Sequence, residues 1–301
     1  VLRKGTERAY SAACFSPDGS KLATVGSFPD YMLTVWDWAR EAIILRTKAF
    51  AQEVYRVTFS PRSEGQLVTS GMGHIRFWEM AQTFTGLKLQ GAIGKFGQIE
   101  LSDISGYQEL PNGNILSGSD WGNLLLWEGN LIKCEICRMG GVNCHDAAIE
   151  VVVLDGQEII SAGGDGYVRR WKLSTLEGAE ATDEMPVFEL EPLAERYLGA
   201  MEEGRNECRI QTMLKGEGHW LIQDSAGALT KVNLEAEEGG SSEGCTTVMQ
   251  FHSGGIFGLD LSPVNHSAAT CGGDGSVRLW NYVDKAASIT YRSSAPATSL
   301  L

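Results

Sequence analysis

The chain has 301 residues, of which 43% are hydrophobic, and a formal net charge of −13 from 25 basic against 38 acidic side chains. No basic footprint is present to neutralise phosphates, so we expect no nucleic-acid partner. No apolar run of about 18 residues is available to span a membrane, and no signal peptide is marked, so we expect no membrane partner. Seven scattered cysteines are typical of reduced packing thiols. The composition therefore predicts a soluble, intracellular protein.

A hairpin pattern recurs six times along the chain. Its copies are residues 22–37, 67–79, 115–128, 160–172, 220–233 and 267–281. In each copy, apolar residues alternate with small or polar ones around a turn, which predicts two antiparallel strands. The copies end on Trp36, Trp78, Trp127, Trp171, Val232 and Trp280, at steps of 42, 49, 44, 61 and 48 residues. A period of about 40 to 45 residues with a Trp-ended strand is typical of propeller blades.

The sequence predicts an all-β fold in which each repeat contributes four antiparallel strands. The predicted blades are residues 9–48, 51–91, 96–137, 145–191, 207–251 and 252–293. The innermost strands are expected at 12–16, 54–60, 98–105, 149–154, 209–214 and 256–262, and the outermost at 42–48, 84–90, 130–137, 187–191, 246–251 and 287–292. The chain begins within a strand pattern and without Met, so we expect a fragment of a longer polypeptide. Its six blades would belong to a seven-bladed ring.

An acidic insertion, residues 176–207, enlarges the fourth repeat. It carries ten acidic side chains against Arg196 and Arg205. Like charges repel one another and resist packing, so the insertion is expected to project as a loop. Such a loop would face a basic partner and steer association with it. Its candidate partner contacts are Glu202, Glu203 and Glu207.

Two repeats carry a histidine before the inner strand and then a hydroxyl, a carboxylate and an indole at equal spacings. The two sets are His145, Ser161, Asp165 and Trp171, and His252, Thr270, Asp274 and Trp280. They resemble the structural tetrad of the WD-repeat family. That resemblance implies that the carboxylate accepts from the histidine, the histidine reaches the hydroxyl, and the hydroxyl meets the indole N–H. Such a network satisfies polar groups whose burial otherwise costs about 1 to 3 kcal/mol each.

A catalytic interpretation of Ser161, His145 and Asp165 as a hydrolase triad has the right residue types. No nucleophile elbow surrounds the serine, however, and the same set recurs in a second blade. Repetition indicates architecture, so the chain is not expected to be an enzyme and no catalytic residue or small-molecule substrate is expected.

A zinc interpretation rests on Cys134, Cys137, Cys144 and His145, which form a CxxC followed by Cys-His. Residues three apart on one strand point to opposite faces, and His145 already has a place in a tetrad. We therefore interpret the cysteines as packing residues and expect no metal and no cofactor.

Departures from the blade pattern occur on the face formed by the turns between second and third strands. The first blade extends this turn with Phe28 and Tyr31, and the third blade has Trp121 where other blades have the tetrad aspartate. These aromatics are candidate partner contacts, since aromatic anchors are common in interfaces. Packing on a neighbouring blade is the alternative.

Four segments, residues 25–38, 46–61, 83–91 and 116–129, resemble a family of cilia- and flagella-associated WD-repeat proteins. The resemblance implies a non-catalytic scaffold of the motile ciliary or flagellar axoneme. It would belong to the tether that links inner-arm dynein motor domains to the doublet microtubule. The implied partners are a second WD-repeat tether protein, an inner-arm dynein heavy chain and doublet microtubule-associated subunits. The alternative is a generic cytoplasmic WD-repeat adaptor or assembly scaffold.

Overall fold

The fold is known from a computed structural model, which describes residues 2–181, 187–198, 209–234 and 244–300. The chain forms two compact units, one of residues 1–164 with 168–195 and the other of residues 165–167 with 196–301. The described residues contain one helix, α1 (Leu173–Glu177), and are otherwise strands, turns and irregular segments. Within these ranges, no helix has the length and apolar character needed to cross a membrane.

The first two sheets follow one another along the chain, each with its four strands in sequence order. The first contains β1 (Tyr10–Phe15), β2 (Leu22–Gly26), β3 (Met32–Asp37) and β4 (Ala42–Lys48). The second contains β5 (Val54–Phe59), β6 (Gln66–Gly71), β7 (His74–Thr83) and β8 (Gly86–Ile93). All neighbouring strands are antiparallel.

The third and fourth sheets share the region of the acidic insertion. The third contains β9 (Tyr107–Glu109), β10 (Ile115–Gly118), β11 (Leu124–Glu128) and β12 (Leu131–Cys137), and β16 (Val187–Glu189) joins it at the β12 edge. The fourth contains β13 (Ile149–Asp155), β14 (Glu158–Gly163), β15 (Tyr167–Lys172) and β17 (Ala194–Tyr197).

The fifth and sixth sheets again have four strands in sequence order. The fifth contains β18 (Ile210–Gly216), β19 (His219–Asp224), β20 (Ala228–Val232) and β21 (Cys245–Gln250). The sixth contains β22 (Ile256–Leu261), β23 (Ser267–Gly272), β24 (Ser276–Asn281) and β25 (Ala286–Arg292). The predicted all-β architecture of propeller blades is confirmed in the described residues.

Apolar side chains between neighbouring sheets form three core clusters in the first unit. One joins Val35 of the first sheet to Trp78 of the second. Another joins Ile75 of the second to Trp127 of the third. A third joins Leu126 of the third sheet to Trp171 of the fourth. Because both faces of a middle sheet are covered, its central strands are apolar on both faces.

The innermost strand of the third sheet begins later than expected. Residues 98–105 were predicted to form it, but β9 occupies residues 107–109. The earlier segment instead connects the second and third sheets, with Ile104 N–H donating to the Gly71 carbonyl at 3.1 Å. Tyr107 then fixes the strand, because its buried hydroxyl donates to the Val68 carbonyl at 2.9 Å.

Residues 187–191 also differ from their predicted place as the outer strand of the fourth blade. β16 pairs in parallel with β12 of the third sheet, with Val187 opposite Glu135 and Phe188 opposite Ile136. β17 takes the outer position in the fourth sheet. The physical reason is that Phe188 and Leu190 pack against the core cluster between the third and fourth sheets.

We predict that Phe188→Ala lowers the free energy of unfolding by about 1 to 2 kcal/mol, because a half-buried aromatic side chain is removed from a packed cluster. Urea unfolding followed by tryptophan fluorescence measures the loss. The matched control is Phe84→Ala, at a fully exposed phenylalanine, which should change stability by less than about 0.5 kcal/mol. Equal effects of the two substitutions would show that β16 contributes nothing to stability.

Candidate functional site

A hydrogen bond from a tryptophan indole to a hydroxyl on the neighbouring strand recurs in five of the six described sheets. The donor–acceptor distances are 2.8 Å for Trp36 and Thr24, 2.9 Å for Trp78 and Thr69, 2.9 Å for Trp127 and Ser117, 2.8 Å for Trp171 and Ser161, and 2.7 Å for Trp280 and Thr270. Each tryptophan lies on the third strand and its hydroxyl partner on the second. These bonds hold the two central strands of a blade together.

In the sixth sheet the structure brings all four predicted tetrad residues together. His252 Nδ1 lies 3.0 Å from Asp274 Oδ1, and His252 Nε2 lies 2.8 Å from Thr270 Oγ1. Asp274 also accepts the backbone N–H of Ser253 at 3.0 Å. Burial raises the pKa of Asp274, but the hydrogen bonds from His252, Ser253 and Ser276 outweigh it, so the pKa lies well below its usual range.

The direction of the hydrogen bonds in this tetrad follows from the ionised Asp274. A carboxylate only accepts, so His252 Nδ1–H donates to it, and in a neutral imidazole ring Nε2 is then an acceptor. The Thr270 hydroxyl then donates to Nε2 and accepts from the Trp280 indole. One chain of donors therefore runs from the tryptophan to the aspartate.

In the fourth sheet the histidine has the opposite hydrogen-bonding sense. His145 Nδ1 lies 3.0 Å from Arg169 Nη1, and a guanidinium only donates, so Nδ1 accepts. The proton is then on Nε2, which lies 2.7 Å from Ser161 Oγ and donates to it. Arg169 is held in turn by Glu195 at 3.0 Å. Arg169 is not recognisable as a network member from the sequence, because an arginine two residues before a strand-ending tryptophan is typical of an ordinary strand position.

Asp165, the predicted carboxylate of that tetrad, accepts the backbone N–H of Tyr167 at 3.1 Å. Ser161 is fully buried and accepts from both Trp171 and His145. A substrate cannot reach a hydroxyl in this position, so the geometry offers no support for the triad interpretation.

The first sheet contains a third network that the sequence analysis missed. Thr6 Oγ1 donates to Asp30 Oδ1 at 2.8 Å, and the backbone N–H of Glu7 donates to Asp30 Oδ2 at 3.1 Å. Thr6 precedes β1 by the same four residues that separate His252 from β22. The available signal was the spacing of six residues between Asp30 and the sheet's tryptophan, as in the two recognised tetrads.

Among the described residues of the fifth sheet, no indole–hydroxyl bond joins the second and third strands. Strand pairing places Trp220 opposite Val232 and Ile222 opposite Thr230. The position of the hydroxyl is therefore occupied by Ile222 and that of the indole by Val232, and both side chains are buried. Because the donor and the acceptor are replaced together by apolar groups, neither is left unsatisfied.

Trp121, a candidate partner contact, has partners within the chain. Its indole N–H donates to Glu135 Oε1 at 2.8 Å, and its ring packs against the cluster that contains Phe96 and Trp127. Asn123 donates to the same Glu135 oxygen at 2.8 Å. These contacts support the interpretation of Trp121 as a packing residue.

Phe28 and Tyr31, the other aromatic candidates, lie on the turn between β2 and β3. Phe28 is 58% exposed, and its ring meets that of Tyr31 edge to face with centroids 6.4 Å apart. The guanidinium carbon of Arg8 lies 5.7 Å from the centroid of the Phe28 ring. An exposed aromatic ring with a cationic neighbour is thus available to a partner.

The candidate contacts Glu202, Glu203 and Glu207 lie outside the described residues. Nearer the third sheet, Glu191 Oε1 accepts the backbone N–H of Met139 at 3.1 Å, and Glu189 Oε1 accepts that of Gly141 at 3.1 Å. Residues 187–191 therefore lie along the third sheet instead of projecting, because backbone donors of a turn satisfy their carboxylates.

The cysteines near the third sheet are buried thiols. Burial raises the pKa of Cys134 to about 11 and that of Cys144 to about 12, and the Cys144 thiol donates to the Ile136 carbonyl at 3.3 Å. Protonated thiols are poor metal ligands. In the part of the chain that the structure describes, no three His, Cys, Asp or Glu side chains are grouped so that they could hold a metal ion.

The segment that contains the tetrad of the sixth sheet matches a known protein family. The WD40 family, described as "WD domain, G-beta repeat", matches residues 243–281, which include His252, Thr270, Asp274 and Trp280. This chain is a WD-repeat protein. The indole–hydroxyl bond of the sixth sheet recurs in the first four described sheets, although the family match itself covers only β21 to β24.

Relatives are similar to this WD-repeat chain over nearly its whole length. It is 45% identical to cilia- and flagella-associated protein 44 of Mus musculus over 305 aligned residues, covering 100% of this chain and 16% of the relative. The protein of that name from Chlamydomonas reinhardtii is 48% identical, with 95% and 16% covered. The one from Trypanosoma brucei brucei is 40% identical, with 93% and 17% covered. The predicted resemblance is confirmed, and the chain spans about one sixth of these relatives.

We predict that Ser161→Ala destabilises the WD-repeat chain more than Ser117→Ala does. The first substitution leaves two buried donors, Trp171 and His145, without their acceptor, whereas the second leaves only Trp127. Each orphaned donor costs about 1 to 3 kcal/mol. Both serines are fully buried, so the pair controls for burial. Chemical unfolding gives the two free energies, and equal losses would contradict a second hydrogen bond to Ser161.

We predict that the wild type has a higher free energy of unfolding than Asp274→Asn at neutral pH, and that this difference narrows at low pH. The folded-state pKa of Asp274 is depressed, so its contribution is fully present above the unfolded pKa of about 4 and is lost as the pH falls through the folded value. Unfolding free energies measured from pH 7 downward should show a constant gap that narrows below about pH 4.

The control is Asp260→Asn, at an exposed aspartate on β22, which should parallel the wild type at every pH. A gap between wild type and Asp274→Asn that stays constant or widens in acid would show that the tetrad carboxylate does not supply this stability.

Proposed function

We propose that this chain is a non-catalytic protein–protein interaction scaffold of the motile ciliary or flagellar axoneme. The observation that carries the proposal is its similarity, over 93% to 100% of its length, to proteins named for their association with cilia and flagella. The chain would then lie in the cytoplasm, on the cytoskeleton of the cilium or flagellum.

The described residues support a structural role for the groups that looked chemically active. Ser161 and His145 are buried within a blade, and the thiols of Cys134 and Cys144 are protonated. These polar groups stabilise blades, and the surfaces of the blades remain for partners. Scaffold propellers use the same division between a rigid interior and variable turns.

More specifically, we propose that the chain belongs to the tether that links inner-arm dynein motor domains to the doublet microtubule. Its partners would be a second WD-repeat tether protein, an inner-arm dynein heavy chain and doublet microtubule-associated subunits. The support is the resemblance of residues 25–38, 46–61, 83–91 and 116–129 to the axonemal family. Glu202, Glu203 and Glu207 would steer a basic surface of one of these partners through their charge.

Cross-linking mass spectrometry of intact axonemes tests this proposal. Four exposed lysines report on different sheets: Lys88, Lys95, Lys172 and Lys215. We expect links to an inner-arm dynein heavy chain and to a second WD-repeat protein. Axonemes extracted with salt to remove inner-arm dynein should lose the dynein links and keep those to doublet-associated subunits.

Three results would overturn the tether. Absence of the chain from axonemes, or links only to soluble cytoplasmic assembly factors, would favour the generic adaptor. Links to axonemal proteins that exclude dynein would keep the ciliary scaffold and contradict the tether.

A further inference from the structure

A cluster of cationic and aromatic side chains lies at one end of the first sheet, where β2 turns into β3. We call it the first-sheet patch, and its residues are Arg8, Phe28, Tyr31, Arg46 and Lys48. The Arg8 guanidinium carbon is 5.7 Å from the Phe28 ring centroid. Lys48 pairs across the strands with Met32, directly after the turn. The patch therefore combines an exposed ring with positive charge.

The turn that carries the patch is held in one conformation. Asp30 receives hydrogen bonds from the Thr6 hydroxyl at 2.8 Å and from the backbone N–H of Glu7 at 3.1 Å. The Tyr31 carbonyl accepts the backbone N–H of Ala49 at 2.9 Å. Tyr31 has φ of 45°, a left-handed conformation that is unfavourable for a residue with a Cβ and that these bonds maintain. Because the backbone of this turn is already fixed, little of its conformational entropy is lost when a partner binds at Phe28.

The charge of the patch is opposite to that of the chain. The chain as a whole has net charge −13, yet exposed cations surround this turn. They are Arg8, Arg46 and Lys48. Among the charged groups of this turn, Arg46 pairs with Asp30 at 3.8 Å, so the cations Arg8 and Lys48 outnumber the remaining carboxylate, Glu7. A local positive field in an acidic chain attracts negatively charged segments to this one place.

We propose that the first-sheet patch binds an acidic peptide segment of a partner protein, with Phe28 contacting an apolar or aromatic side chain of that segment. Guanidinium groups pair with carboxylates through charge-assisted hydrogen bonds, and an aromatic anchor adds apolar contact. The proposal builds on the scaffold function and adds a surface and a class of ligand. A peptide fits better than a nucleic acid, because the cations occupy one turn and do not form a track along a backbone.

The opposite end of the same sheet offers a matched control surface. Phe15 is 55% exposed and meets Trp38 edge to face at 5.8 Å, so it resembles Phe28 in exposure and in ring contact. Its neighbouring cation Arg40 lies 3.5 Å from Asp37. This end has an aromatic pair without an excess of positive charge.

The test is fluorescence anisotropy with the purified chain and a short labelled peptide of glutamate and glycine that contains one central tyrosine. We expect binding in about 50 mM salt that weakens strongly in about 500 mM salt, since exposed charges are screened. Arg8→Glu and Phe28→Ala should each raise Kd at least about fivefold. Phe15→Ala and Arg40→Glu should leave it within about twofold, and circular dichroism checks that all four variants fold.

Several outcomes would overturn the proposal: no binding at low salt, equal losses in the patch and control variants, or equal affinity for a peptide with lysine in place of glutamate. Tighter binding of a single-stranded oligonucleotide through Arg8 and Phe28 would assign the patch to nucleic acid instead. Binding by purified chain does not depend on its cellular location, so this result and the axonemal cross-links fail separately.

Discussion

The hydrogen bond from an indole to a hydroxyl on the adjacent strand is the interaction on which five of the six described blades depend. A buried N–H without an acceptor costs about 1 to 3 kcal/mol, so the tryptophan fixes which residue of the second strand must carry a hydroxyl. It also fixes the register of the two central strands, since a slip of one residue would point the hydroxyl to the other face. The fifth sheet supports this dependence, because Ile222 and Val232 replace both members of the pair.

Around the hydroxyl, the described sheets use different groups to complete the network. Thr270 donates to His252, which donates to Asp274, whereas Ser161 accepts from His145, whose other nitrogen faces Arg169. A hydroxyl can donate or accept, so it tolerates either sense. The constraint on this position is therefore satisfaction of buried polar groups and not one fixed set of residues.

Net charge describes the surfaces of this chain poorly. Glu189 and Glu191 belong to a strongly acidic insertion, yet turn N–H groups of the third sheet bind their carboxylates. The first sheet shows the reverse, because Arg8, Arg46 and Lys48 lie near one turn of an acidic chain. For a scaffold, the local arrangement of charge decides which partner meets which turn.

The sequence by itself determined the hairpins, their closing tryptophans and the tetrad of the sixth sheet, because these follow from alternation and spacing within about 30 residues. Only the tertiary structure decided that β16 joins the third sheet, since a parallel pairing between distant segments leaves no local pattern. Only the tertiary structure also shows that Arg169 donates a hydrogen bond to His145 and that Thr6 donates one to Asp30. Such partners are selected by distance and hydrogen-bonding sense in the folded chain, and residue type alone does not encode either.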